Sequence, residues 1–177
     1  IFPTRYWRLM AMPSEPIFVS VQTHNFCLNE QQQALFKSCN VNAEIGAVAS
    51  FVGLVRAENN ILEAGSAHSG KLRALYIEHY PAMTEPVLRR LCEQALEKWQ
   101  LITCRVIHRV GTIPTGEQIV LVMVGAEHRA AAFAACECIM DHLKTSAPFW
   151  KKAIFEHDEH WVAAKQTDQA KVEQWSD

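Results

Sequence analysis

Apolar positions recur along this chain with two different spacings, and the changes between them mark out its elements. Residues 17–26 are rich in apolar side chains and predict a first strand. Residues 29–39 then take helical spacing, with Asn29 as the cap and Ala34 and Leu35 on one side. Residues 46–55 (GAVASFVGLV) form a β-rich run that ends at Arg56. Residues 57–70 (AENNILEAGSAHSG) are small, polar and glycine-containing, the composition of a mobile loop. In 72–80, Leu72, Ala74 and Tyr76 alternate with Arg73, Leu75 and Ile77, which predicts a strand with at least one buried face.

A helix capped by Thr84 is predicted to run to Trp99, because Val87, Leu91, Ala95 and Trp99 recur every four residues. Strands follow at 103–110 and 118–124, separated by a turn at Pro114-Thr115-Gly116. A third helix covers 128–144 with a stripe of Phe133, Cys136, Met140 and Leu143, and Pro148 prevents its continuation. Short strands are predicted at 149–155 and 161–164. The order β-α-β-β-α-β-β-α-β-β predicts an α+β fold, with helices packed on a mixed or antiparallel sheet. One domain is expected over 17–165. Residues 1–16, punctuated by Pro3, Pro13 and Pro16, are expected to be a poorly ordered or non-native extension, and 166–177 a polar tail.

Composition narrows the function classes. Of 177 residues, 49% are hydrophobic and 20% charged, an ordinary globular balance. A net charge of −2 offers no overall basic excess for a nucleic-acid backbone, so an anion site must be local. No apolar stretch reaches the roughly 20 residues of a membrane-spanning helix. The six cysteines show no C-x-x-C spacing and sit among small apolar neighbours, which predicts buried thiols in a reducing, cytoplasmic compartment. No G-x-G-x-x-G, P-loop or G-x-S-x-G motif occurs. His157-Asp158-Glu159-His160 lacks a third ligand at a recognisable spacing, so neither a metal nor a cofactor is expected.

The candidate chemistry is cationic. Arg129 occupies the first turn of the helix predicted at 128–144, against the positive end of its dipole, a placement that makes sense if an anion binds there with His128 alongside. The run KTSAPFWKK at 144–152 brackets a Pro-Phe-Trp corner with Lys144 and Lys151, and aromatic walls there would lower a lysine pKa. Arg56 closes a strand and opens a polar loop, a usual position for a ligand-binding cation.

Together, FVGLVR at 51–56, LYIEHYPAMTE at 75–85, VIHRVGTIPTGE at 106–117, AEHRAAAF at 126–133 and MDHLKTSAPFWKK at 140–152 resemble the large, catalytic subunits of molybdopterin synthase. The resemblance implies an α/β-hammerhead fold with an added α+β subdomain, and a homodimer within a heterotetramer. It implies a small ubiquitin-like sulfur-carrier partner, whose C-terminal Gly-Gly thiocarboxylate gives sulfur to cyclic pyranopterin monophosphate to build the dithiolene of molybdopterin. Position by position, it implies catalytic roles for Lys144 and Lys151. Substrate contacts are implied for Leu54, Val55, Arg56, His128, Arg129, Lys152 and Ala153. Lys165 would reach across the dimer. Ala153 replaces the family's usual Glu, and Lys165 its usual Arg, which keeps the charge but loses the bidentate fork. A non-catalytic scaffold that binds the carrier's tail is the alternative reading.

Overall fold

A computed structural model of the chain describes residues 15–38, 45–57, 70–162 and Trp175. Its elements are β1 (Ile17–Gln22), α1 (Leu28–Ser38), β2 (Ala47–Leu54), β3 (Leu72–His79), α2 (Pro81–Lys98), β4 (Thr103–Arg109), β5 (Gly111–Pro114), β6 (Gln118–Ala126), α3 (Arg129–Thr145), β7 (Phe149–Phe155) and β8 (Glu159–Val162). The fold is α+β, as expected, but with two sheets rather than one. The first has the order β1-β4-β6-β2 and the second β5-β3-β7-β8. Only the β1–β4 pair in these sheets is parallel.

Strand alternation distributes the core. On one face of the first sheet, Cys104, Val106, Val120, Val122 and Val124 pack with Leu88, Leu91, Ala132, Ala135 and Ile139 of α2 and α3. On the other face, Ile107, Leu121 and Met123 pack with Leu35 of α1 and with Phe26. A separate cluster of Leu72, Ile77, Ile113, Ala153 and Phe155 fills the inner face of the second sheet.

Several boundaries differ from the sequence reading for local reasons. Helix α1 begins at Leu28, so Asn29 lies inside it, and the first turn closes from Gln31 N–H to the Cys27 carbonyl at 3.1 Å. Helix α2 begins at Pro81, whose fixed φ suits the first helical position, with Tyr80 as its cap. Thr84 is therefore internal and buried, and its hydroxyl donates to the Tyr80 carbonyl at 2.8 Å. The fourth strand of the second sheet, β5, carries no distinct signal because it spans only Gly111–Pro114. On α3 the buried stripe is Ala132, Ala135, Cys136, Ile139, Met140 and Leu143, and Phe133 is 66% exposed. Small residues let α3 lie close to the sheet, which turns the bulky ring outward.

Cys92, Cys104, Cys136 and Cys138 are buried free thiols; Cys27 is exposed, against expectation. Cys39, residues 58–69 of the expected loop, and residues 163–174, including Lys165, lie outside the described residues. Within the expected tail, Trp175 packs edge-on against Trp99, and its indole N–H donates to Asp141 at 3.0 Å. No helix among the described residues is long and apolar enough to cross a membrane.

Candidate active site

A cavity of about 640 Å³ opens where the end of β2, the end of β4, the start of β6, the last turns of α3 and β7 converge. Apolar side chains (Phe51, Leu54, Leu75, Ile119, Met140 and Leu143 among others) line it together with Arg56, His108, Lys144 and Lys151, so that polar and apolar groups share its surface about equally. None of these described lining residues carries a carboxylate. In a cavity partly shielded from solvent, a cluster of cations attracts anions more strongly than on an open surface.

Each cation arrives by a separate structural route. The register of β2 on β6 slips between Gly53 and Leu54. The following backbone is then pinned to the turn before β6, with Val55 N–H on the Glu117 carbonyl at 2.9 Å and Gly116 N–H on the Val55 carbonyl at 2.7 Å. Gly116 has a φ of 89°, which suits a residue without a Cβ. Arg56 leaves from that fixed point, while Val55 is buried and Leu54 exposed at the rim. Met140, Leu143 and Lys144 share one face of α3 at i, i+3 and i+4. Lys144 also stands in the last turn, where the helix dipole favours a positive charge. Lys151 comes from β7, paired with Ile77 of β3.

Pleating of β7 separates the neighbours of Lys151. Trp150 lies on the opposite face, 53% exposed, so it does not wall the lysine as the sequence suggested. Lys152 is also on that face, outside the cavity. Its ammonium pairs with Glu159 at 2.7 Å and lies over the rings of Tyr76 and Trp161, at 5.5 and 5.7 Å. Ala153 faces the same side as Lys151 but is wholly buried in the core of the second sheet.

His128 and Arg129 are at the far end of α3. His128 caps the helix in extended conformation without a side-chain cap bond, and its side chain is 80% exposed. Fifteen helical steps at roughly 1.5 Å each separate Arg129 from Lys144, about 22 Å. The chain therefore brings together Arg56, Lys144 and Lys151, with Leu54 at their rim, and does not bring His128 or Arg129 to the same cavity within one copy.

Sequence reasoning missed His108. It ends the run of inward-facing positions 104, 106 and 108 on β4, and an isolated histidine in a buried strand carries no distinguishing signal. Its ring is only 5% exposed and stacks on Phe149, with centroids 3.9 Å apart and planes 16° from parallel. Nδ1 donates to the Arg109 carbonyl at 2.8 Å. Burial lowers its pKa to about 3, the positive charges of Lys151 and His79 act in the same direction, and the bond to the Arg109 carbonyl opposes them.

Comparison with known proteins agrees with this architecture. Residues 21–146 match the family model described as MoaE protein. The molybdopterin synthase catalytic subunit of Vibrio cholerae is 43% identical over 157 residues, covering 89% of this chain and 97% of that protein. The corresponding protein of Ralstonia nicotianae is 44% identical over 157 residues, covering 89% and 83%. Among solved structures, the molybdopterin biosynthesis MoaE protein of Burkholderia ambifaria superposes with a TM-score of 0.72 at 39% identity, over 91% of this chain and 99% of that one. Molybdopterin synthase of Staphylococcus aureus superposes with a TM-score of 0.68 at 25% identity, over 81% and 95%.

Proposed function

This chain belongs to the MoaE family, and we propose that its cavity is where sulfur passes from a carrier protein to a pterin precursor. The chain is a sulfurtransferase of molybdenum cofactor biosynthesis, of the molybdopterin synthase catalytic type. Its partners are a second copy of itself and the small ubiquitin-like subunit, whose thiocarboxylated Gly-Gly tail enters the cavity. Its substrate is cyclic pyranopterin monophosphate. Two transfers build the dithiolene and open the cyclic phosphate. A cytoplasmic location fits the free thiols, which a reducing compartment preserves.

The observation that carries this reading is the convergence of Arg56, Lys144 and Lys151 on one cavity. The carrier's tail and the precursor are both anionic and repel each other unless cations offset both charges. Arg56 neutralises the phosphate through charge-assisted hydrogen bonds. Lys144 stabilises negative charge developing on the tail carbonyl as sulfur leaves, and Lys151 gives or takes the proton. His128 and Arg129 complete the phosphate site from a second copy, since their own cavity is about a helix length away.

The test is molybdopterin formation from precursor and thiocarboxylated carrier, followed by mass spectrometry. Lys144→Ala is expected to keep the fold and the carrier but lose about 10²- to 10⁴-fold in turnover, the range for a lost charge-stabilising or proton-transfer group. Near-normal turnover by that variant would remove Lys144 from the chemistry. A wild-type chain that binds the carrier yet makes no dithiolene would instead be a scaffold.

A further inference from the structure

The cavity has several ways to bind negative charge and few to bind a hydrogen-bond donor. Arg56, Lys144 and Lys151 are donors only, and the remaining described lining side chains other than His108 are apolar, with the Met140 thioether a weak acceptor. A heterocycle with ring N–H or amino groups that lost water in this cavity would leave those donors short of side-chain acceptors, at a cost in binding.

His108 supplies what is lacking. Because Nδ1 donates to a carbonyl, the neutral ring carries its proton there and Nε2 has only a lone pair. Nε2 makes no hydrogen bond to a described residue, and it is not one of the polar atoms sealed from solvent without a partner. The small exposed part of this cavity-lining ring therefore includes an acceptor atom. Stacking on Phe149 fixes the plane in which that lone pair points. We propose that His108 is a specificity-determining residue whose Nε2 accepts a hydrogen bond from an N–H group of the bound pterin-like ring, while the cations hold the phosphate. This rests on the sulfurtransferase reading above and adds the contact that selects the heterocycle.

His108 acts as an acceptor and not as a base. The charged groups around it are Lys151 from β7, His79 from the end of β3, Lys144 across the cavity on α3 and Arg56 after β2. Burial, helped by the positive charges of Lys151 and His79 and opposed by the bond to the Arg109 carbonyl, keeps a second proton off the ring through the physiological range. Loss of His108 should therefore appear mainly in precursor binding, without removing a limb from the pH profile of kcat above pH 5.

Asparagine and glutamine separate the two nitrogens of the ring. His108→Asn can keep a donor near Nδ1 but has nothing at Nε2, whereas His108→Gln carries its amide oxygen out toward Nε2. With thiocarboxylated carrier saturating, His108→Asn is expected to raise KM for the precursor about ten- to a hundredfold, more than kcat falls, and His108→Gln to recover part of it. In the wild-type protein, the ¹⁵N signal of His108 Nε2 should be that of an unprotonated nitrogen and should shift when precursor is added without carrier, a readout independent of whether the variants fold. An unchanged KM in His108→Asn, or an Nε2 signal unmoved by bound precursor, overturns the proposal while leaving the sulfurtransferase reading standing. Failure of the wild-type protein to make product overturns both.

Discussion

Lys151 and Lys152 are adjacent in the chain, yet the pleat of β7 sends one ammonium group into the cavity and the other to a ring-lined ion pair with Glu159 on the opposite face. Residue type alone does not separate them; strand parity does. The same parity places His108 in the cavity and buries it, with a consequence for stability. Its pKa is about 3 in the folded chain, against an ordinary value near 6.5 when unfolded. Between those values the unfolded chain binds a proton that the folded chain does not. The contribution of neutral His108 is thus complete above about pH 6.5 and is lost as pH falls toward 3. Near pH 5 this one group should give a slope of about 1.4 kcal/mol per pH unit. Urea unfolding of the wild type and His108→Asn between pH 4 and 7 should show wild-type stability falling more steeply with acid by up to that amount. Parallel curves would mean that His108 takes up a proton as readily in the folded state as in the unfolded one.

At the scale of elements, β2 shows how backbone packing shapes the cavity wall. A Cβ on Gly53 would stand 2.7 Å from Val120 Cγ1 and 3.3 Å from a ring carbon of Phe51, both lining residues. The valine is stiff and packed, so Gly53→Ala is expected to cost about 1–3 kcal/mol and push the wall inward. Thermal unfolding measures the first effect, and a raised precursor KM the second. Wild-type values for both would show that the β2 edge moves freely. The sequence makes elements of this kind legible where their periodicity is long: β3, α2, β6, α3 and β7 all lie within a few residues of their predicted spans. It misleads where a short-range signal competes. Thr84 looks like a cap, but Pro81 starts the helix earlier. Phe133 looks like core, but the alanines beside it set the distance between α3 and the sheet. The cations of the cavity were legible as residue types in unusual places, whereas their distances were not, because these depend on how two sheets and a helix end meet. His108 was hidden for the complementary reason: a buried strand histidine becomes notable only once a cavity reaches it.

At the scale of the whole molecule, the length of α3 decides how many copies make one working site. Lys144 and Arg129 lie at opposite ends of a 17-residue helix, too far apart for both to touch one small substrate within a single chain. If the anion-binding end serves the cavity of a second copy, as we propose, each site draws lysines from one chain and His128 and Arg129 from the other. Phe133, one turn from Arg129 and largely exposed, offers an apolar footing beside these cations. Two inactive variants should then restore each other. In a mixed dimer of Lys144→Ala with Arg129→Ala, one site collects both lesions and the other collects none. Random one-to-one pairing makes half the dimers mixed, so about a quarter of all sites should work. If both residues served the cavity of their own chain, every site in every dimer would carry a lesion and no activity would return. Co-expressing the two variants with different affinity tags, isolating the doubly tagged dimer and measuring dithiolene formation distinguishes these cases: about half the wild-type activity per dimer supports the shared site, and activity no greater than that of the parents rules it out.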